Sequence, residues 1–169
     1  KPTFSPDGTF IAYLGHQREF GGATLTTLYV IPAEGGTPRK CLSRELTIGS
    51  SAGTDSRFGD APATLHWNDS GSTITLLCST GGTSNVWEAC VDTCEVRQLT
   101  SGEHSVFGMT RAGNILAAAI SDFVNPGDIY SFDVTTGAWN RLTSVNKDLL
   151  DSVYLSIPER MEYKAPDGW

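Results

Sequence analysis

The sequence predicts an all-β chain of β-propeller blades: about three four-stranded antiparallel blades in an incomplete ring. Three observations carry this. One strand-and-turn grammar recurs three times along the 169 residues. Glycine marks the tight turns of the repeats. No convincing amphipathic helix interrupts them, and the one helical candidate is a short turn at Asn146 to Leu150. Four short strands recurring about every 40 residues form a propeller signature and not that of a generic β-sandwich.

The first unit runs Phe4-Ser5-Pro6-Asp7-Gly8-Thr9-Phe10-Ile11-Ala12-Tyr13, then Leu28-Tyr29-Val30-Ile31, Gly35-Gly36 and a closing Leu42. The second runs Trp67-Asn68-Asp69-Ser70-Gly71-Ser72-Thr73-Ile74-Thr75-Leu76, then Val86-Trp87-Glu88-Ala89 and Leu99-Thr100. The third runs Met109-Thr110-Arg111-Ala112-Gly113-Asn114-Ile115-Leu116-Ala117, then Ile129-Tyr130-Ser131-Phe132, Thr136-Gly137 and Leu142-Thr143. The closing Leu follows its apolar-aromatic strand at a near-constant distance: Leu28 to Leu42, Val86 to Leu99, Ile129 to Leu142. The pairs Leu42-Ser43, Leu99-Thr100 and Leu142-Thr143 close the three units alike.

The local chemistry explains the elements. Asp7-Gly8, Ser70-Gly71 and Thr136-Gly137 place Gly where a tight hairpin needs positive φ. The flanking Thr, Val, Ile, Tyr and Trp suit a pleated, half-buried surface. Thr73 to Cys78 and Ile115 to Ile120 are nearly continuous apolar runs, as expected of strands buried on both faces between stacked sheets.

Composition bounds the function. Hydrophobic residues are 39% and charged residues 18%, values of a folded chain. With 12 basic against 19 acidic residues the net charge is −7. Nucleic acid and anionic membrane surfaces are therefore not expected partners, since both are held through clustered Lys and Arg. The densest basic stretch is only Arg39-Lys40 with Arg44 nearby. No apolar run approaches the ~20 residues of a membrane span. The chain starts inside a repeat at Phe4, so its natural N-terminus is expected upstream.

Cys41, Cys78, Cys90 and Cys94 lack the C-x-x-C spacing of a zinc site. Cys90 and Cys94 flank a turn, but spacing alone rarely gives disulfide geometry. The expectation is four reduced thiols, two of them in strands, in a cytoplasmic protein.

No residue stands out as catalytic, cofactor-binding or metal-ligating. His16, His66 and His104 fall in loops or at strand ends with no recognisable nucleophile, so surface or packing roles are expected. Asp7 and Asp69 occupy equivalent turns, where carboxylates hydrogen-bond the backbone. The remaining acids are scattered. No Gly-rich loop leads into a helix, as a phosphate cradle requires. Trp67, Trp87, Trp139 and the tyrosines are expected to pack blade against blade.

Phe4-Ser5-Pro6-Asp7-Gly8 with Ile11-Ala12-Tyr13 resembles the W-S-P-D-G-x-x-I-A-F repeat of TolB-type propellers. That repeat is common to many functions and identifies fold alone. The second and third units depart from it, with Asn68-Asp69-Ser70-Gly71 and Thr110-Arg111-Ala112-Gly113, but both keep the Gly. The C-terminal stretch is more specific. Arg141-Leu142-Thr143-Ser144-Val145-Asn146, followed by Leu155-Ser156-Ile157-Pro158-Glu159-Arg160-Met161-Glu162-Tyr163-Lys164-Ala165-Pro166-Asp167-Gly168-Trp169, resembles a junction in the prolyl oligopeptidase family. The likeness is to its acylaminoacyl-peptidase branch, where a last blade ending Q-L-T-x-x-N leads to L-S-x-P-E-x-I-x-Y-x-S-x-D-G. Asn125-Pro126-Gly127-Asp128-Ile129-Tyr130 is similar to that family's P-x-D-L-Y. Gly53-Thr54-Asp55-Ser56-Arg57 resembles one of its loops.

The resemblance implies that residues 1–157 are the C-terminal blades of a propeller and that 158–169 begin an α/β-hydrolase domain. It also implies that the catalytic triad lies beyond Trp169, since no G-x-S-x-G elbow occurs here. The fragment would have no peptidase activity and no cofactor. Its expected partners are the hydrolase domain of the same chain and, for the whole enzyme, short or N-acylated peptides that the propeller screens by size. About three blades cannot close a ring, so self-association through exposed blade faces is also expected. The alternative is a TolB-like binding or scaffold propeller without an enzyme. Pro158 to Trp169 separates the two readings, because a scaffold has no use for a hydrolase-entry strand.

Overall fold

In a computed structural model, residues 2–41, 46–48 and 64–166 are described. They form three antiparallel blades. Blade 1 is β1 (Thr3–Phe4), β2 (Phe10–Gly15), β3 (Thr27–Pro32) and β4 (Arg39–Lys40), hydrogen-bonded in that order. In blade 2, β7 (Thr73–Thr80), β8 (Thr83–Cys90) and β9 (Val96–Gln98) follow an inner strand in two pieces. These pieces are β5 (Thr47–Ile48), beside Ser79 and Cys78, and β6 (His66–Trp67), beside Thr75 and Ile74. Blade 3 is β10 (Ser105–Ala112), β11 (Ile115–Ser121), β12 (Asp128–Asp133) and β13 (Trp139–Arg141). A parallel bridge between Ser105 and Ser84 joins the first strand of blade 3 to the third strand of blade 2. The predicted helical turn is α1 (Lys147–Leu150).

The expected blades are present, and stacking explains their apolar patterns. Two cores lie between them. The first gathers Ala12, Leu28 and Val30 of blade 1 with Ile74, Leu76, Cys78 and Ala89 of blade 2. The second gathers Leu77 and Val86 of blade 2 with Val106, Leu116, Ala118 and Phe132 of blade 3. Successive side chains of a strand point to opposite faces. Blade 2 therefore feeds Leu76 into one core and Leu77 into the other, and β7 is buried from Ile74 through Ser79. β11 differs from expectation. It alternates buried and half-buried residues, with Ile115 46% exposed, because blade 3 has a neighbour on one face only.

The tryptophans pack as expected. Trp67 and Trp87 lie against the first core, and Trp139 against the second, 4.8 Å from the Phe132 ring. Tyr13 and Tyr29 stack at 5.3 Å. Gly8, Gly71 and Gly137 all take positive φ. Asp7 performs its predicted turn role, accepting from the Thr9 amide at 3.1 Å. In blade 2 that backbone role passes to Asn68, whose Oδ1 accepts from the Thr73 amide at 3.0 Å, as Ser5 Oγ accepts from Phe10 in blade 1.

The closing pair has a physical basis. The Thr100 hydroxyl accepts from the Val86 amide (2.9 Å) and donates to Asn85 Oδ1 (3.1 Å). The Thr143 hydroxyl accepts from the Ile129 amide (2.9 Å) and donates to Asp128 Oδ1 (2.7 Å). In each blade this threonine ties the returning chain to the start of the third strand. Blade 1 corrects the sequence alignment by one residue. The amide that donates to Leu28 O is that of Cys41 (2.8 Å), matching Leu99 to Val86 and Leu142 to Ile129. Leu42 thus falls where the other blades have Thr. Leu42, Ser43, Arg44, the 53–57 loop and residues 167–169 lie outside the described residues.

The expectation of four reduced thiols is overturned. Cys41 forms a disulfide with Cys94, with a Cα–Cα distance of 4.5 Å across a sequence separation of 53. It joins the end of blade 1 to the last turn of blade 2. Cys41 holds the closing position of its blade and so enters the core between blades, where Cys94 meets it. Cys78 and Cys90 are free.

Candidate functional site

In an antiparallel blade, the turn between the second and third strands lies at the same end as the exit from the fourth. The Gly81-Gly82 turn, the 122–127 turn and the chain leaving β13 therefore share one end of blades 2 and 3. One polar assembly fixes the chain's exit at this end, with a cavity beside it, and a second joins blades 2 and 3 toward their opposite end.

The first assembly sits where the chain leaves blade 3. The Asp128 side chain is wholly buried. It accepts from Asn125 Nδ2 (2.9 Å), the Thr143 hydroxyl (2.7 Å) and the Val145 amide (3.0 Å), and it pairs with Arg141. Burial alone would raise its pKa. The hydrogen bonds from Thr143, Asn125, Val145 and Arg141 outweigh burial and hold it far below the carboxylate range. The Asn125-to-Tyr130 motif thus supplies both Asn125 and the carboxylate that clamps the exit.

The second assembly joins blades 2 and 3. Glu88 on β8 is 5% exposed at its side chain and Arg111 on β10 is 6% exposed. Arg111 Nη1 donates to Glu88 Oε1 at 3.0 Å and also to the Thr75 hydroxyl. Arg97 donates to Glu88 Oε2 through Nε (2.9 Å) and Nη2 (2.6 Å), and the Thr73 hydroxyl to Oε1 (2.9 Å). Burial pushes Glu88 toward neutrality, but the Arg97, Arg111 and Thr73 bonds prevail and keep its pKa below the usual value. Nothing in the sequence marked Glu88 or Arg111 as partners. Their only signal is two opposite charges inside repeat positions otherwise filled by packing residues.

The three histidines lie in three separate places. His16 Nδ1 accepts from the Arg18 amide at 3.2 Å. His66 Nε2 bonds the Thr64 hydroxyl at 3.0 Å. His104 packs edge-on against Trp139, with ring centroids 6.3 Å apart. Burial lowers the pKa of both His66 and His104. Among the described residues, no group of three or more His, Cys, Asp or Glu could hold a metal ion. No helix among them is long and apolar enough to cross a membrane.

At the shared end, a cavity of about 260 Å³ lies between the Gly81-Gly82 turn, the start of β10, the end of β11 and Pro158 to Arg160 of the departing chain. The departing chain is itself rich in exposed apolar groups: Tyr154, Ile157, Met161 and Tyr163 are each more than three-quarters exposed.

Stacked four-stranded blades with polar closing ties define a β-propeller, and known structures agree. A TolB from Agrobacterium tumefaciens superposes with a TM-score of 0.61 at 22% identity, over 83% of this chain and 44% of that one. The acylaminoacyl peptidase of Pyrococcus horikoshii superposes with a TM-score of 0.62 at 17% identity, over 88% of this chain and 20% of that one. No family model matches the sequence. By sequence, the chain is 26% identical over 167 residues to dipeptidyl-peptidase 5 of Porphyromonas gingivalis, covering 99% of this chain and 22% of that protein. By sequence the chain is thus similar along nearly its whole length to part of a peptidase, and by structure its fold is that of propeller blades. It spans about a fifth of the curated relative's length.

Proposed function

We propose that this chain supplies the last blades of the propeller of a prolyl-oligopeptidase-like serine peptidase. On this reading residues 1–157 are propeller, and 158–169 begin the α/β-hydrolase domain that carries the triad. The whole protein acts on short or N-acylated peptides, and the propeller restricts which of them reach the catalytic centre. The observation that carries the reading is similarity to a peptidase along essentially the whole chain. Two features support it: the clamped exit at Asp128, and an apolar departing segment suited to burial against a following domain.

The test is direct. A G-x-S-x-G elbow should occur within the following ~150 residues. The full-length protein should react with a fluorophosphonate serine probe and cleave short peptide anilides, whereas the 169-residue piece does neither. Absence of the elbow, or a full-length protein inert to the probe, refutes the peptidase reading in favour of a TolB-like scaffold. That scaffold reading is favoured by one observation: the blades cover a larger share of the TolB chain than of the peptidase.

As an isolated piece the chain self-associates on this proposal. The outward face of blade 3 presents Ile115 and Ile129, 46% and 40% exposed, around the small Ala117 and Ala119 of β11. A clean monomer in light scattering at high concentration contradicts this. A cytoplasmic location fits reduced thiols. The Cys41–Cys94 bridge argues instead for an oxidising compartment. Counting free thiols in protein isolated from its source decides between them.

A further inference from the structure

The three-blade stack has two unlike outer faces, and each is one half of a contact that the chain already makes twice. Blade 2 turns Ile74 and Leu76 toward blade 1, and blade 3 turns Leu116 and Ala118 toward blade 2, all 1% exposed or less. The strand registers put Ile11 and Tyr13 of blade 1 at the same positions. Ile11 pairs with Ile31 as Ile74 pairs with Ala89 and Leu116 with Phe132, and Tyr13 pairs with Tyr29 as Leu76 pairs with Trp87. Yet Ile11, Tyr13 and Ile31 are only half-buried. Phe4, which lies beside Ile11 as Trp67 lies beside Ile74, is 62% exposed.

The opposite side of each blade repeats in the same way. Ala12 and Leu28 of blade 1, and Thr75 and Val86 of blade 2, are wholly buried against the blade that follows. Their counterparts on blade 3 are Ala117, half-buried, and Ile129, 40% exposed. The two outer faces also fit in size. Phe4 and Tyr13 make the blade 1 face aromatic, whereas the small Ala117, Ala119 and Ser131 line the blade 3 face. Inside the stack, Trp67 and Trp87 of blade 2 likewise pack against the cluster that holds Ala12. The turns agree. A Cβ on Gly71 would lie 3.5 Å from Pro6 Cδ, and one on Gly113 would lie 3.9 Å from Asp69 Oδ2, so each turn rests on that of the blade before. A Cβ on Gly8 of blade 1 meets nothing within 4 Å among the described residues.

We propose that two copies of this chain close head to tail into a six-bladed ring, with blade 3 of each copy packed on blade 1 of the other. This deepens the self-association proposed above and rests on it. Each contact joins unlike faces, and a twofold axis relates the two contacts, so neither apolar face stays open. Three blades from each copy give a ring within the range of closed propellers, about 4–8 blades.

The test is sedimentation of the 169-residue chain, with Phe4→Arg on one outer face and Ile129→Arg on the other. Both side chains are already exposed, so both variants should keep the parent's far-UV circular dichroism. If either does not, Ile11→Arg or Ser131→Arg probes the same face. The parent should sediment at twice the chain mass and grow no further with concentration. Every contact in the ring uses both faces, so each variant spoils both contacts and should dimerise at least about tenfold more weakly. A monomer at high concentration overturns the ring together with the self-association it rests on. A dimer that survives either substitution joins like faces, which overturns the ring and leaves self-association standing. A mass that climbs past two chains shows an open stack and overturns closure.

Discussion

Removing the Arg111 guanidinium tests whether blades 2 and 3 are held by a charge clamp as well as by apolar packing. Arg111→Met keeps most of the stem volume and deletes the Nη1 bonds to Glu88 and Thr75 and the Nε bond to Gly113 O (2.9 Å). Glu88 and Arg111 are 5% and 6% exposed, so water does not replace what is lost. Breaking a buried pair from one side costs about 3–5 kcal/mol. Glu88 retains Arg97 and Thr73, which places the expected loss near the lower figure, about 3 kcal/mol. Arg97 contacts the same carboxylate but is 69% exposed, so Arg97→Met should cost no more than about 1 kcal/mol. Urea unfolding of Arg111→Met, Glu88→Gln and the double variant closes a thermodynamic cycle. A double variant less damaged than the two singles combined shows the coupling. The sign with pH is fixed too. Glu88 has a lowered pKa in the fold. Its contribution is therefore present above the ordinary glutamate value of about 4.3 and is lost as pH falls through the lowered one. An Arg111→Met loss below about 1 kcal/mol, or an Arg97→Met loss equal to it, refutes the clamp.

Three further outcomes follow from the same structure. Asp128→Ala removes the acceptor of Arg141 Nη2 and of the Val145 amide, leaving Arg141 only its Nε bond to Thr143 O. It should cost about 3 kcal/mol and speed tryptic cleavage after Arg141 and Lys147, read by timed digestion. Thiol titration of the unreduced protein should find Cys90 reacting first, because the Thr93 hydroxyl lowers its pKa. Burial pushes Cys78 up to about 12, so it reacts only on unfolding, and reductant should reveal the Cys41 and Cys94 thiols. His66 and His104 have pKa values lowered by burial, so the unfolded chain binds more protons below its histidine pKa of about 6.5. Stability should fall as pH drops from about 6.5 toward the lowered values, and His66→Asn/His104→Asn should flatten that slope in thermal scans from pH 7 to 5.

The blades were legible because their determinants are local. A strand's period, a Gly turn and a closing Leu-Thr pair each lie within a few residues, and each reappeared with a hydrogen-bonding reason. What escaped the sequence depends on stacking. Cys41 and Cys94 belong to different blades, and so do Glu88 and Arg111, so no spacing rule links either pair. The split inner strand of blade 2 was also hidden, because β5 and β6 are each two residues long, too short to show alternation. The one-residue slip at Leu42 has a related origin. Without the packing, a Leu beside a Cys is the more obvious closing residue. Yet the backbone bond to Leu28 selects the Cys, and Thr27 Oγ1, which holds the place of Asn85 and Asp128, is left without a partner among the described residues.

The bridge from Cys41 to Cys94 turns part of a linear chain into a covalent circuit. Everything between the two sulfurs, including most of blade 2 and the stretch between β5 and β6, hangs on a closed loop with a sequence separation of 53. A single protease cut inside that loop cannot release either product, and the two pieces travel as one band until a reductant is added. Closing such a loop removes conformational freedom from the unfolded chain worth about 4 kcal/mol. Insertions between Ile48 and His66 can therefore vary in length, or be nicked, while blades 1 and 2 stay tethered in the same pair.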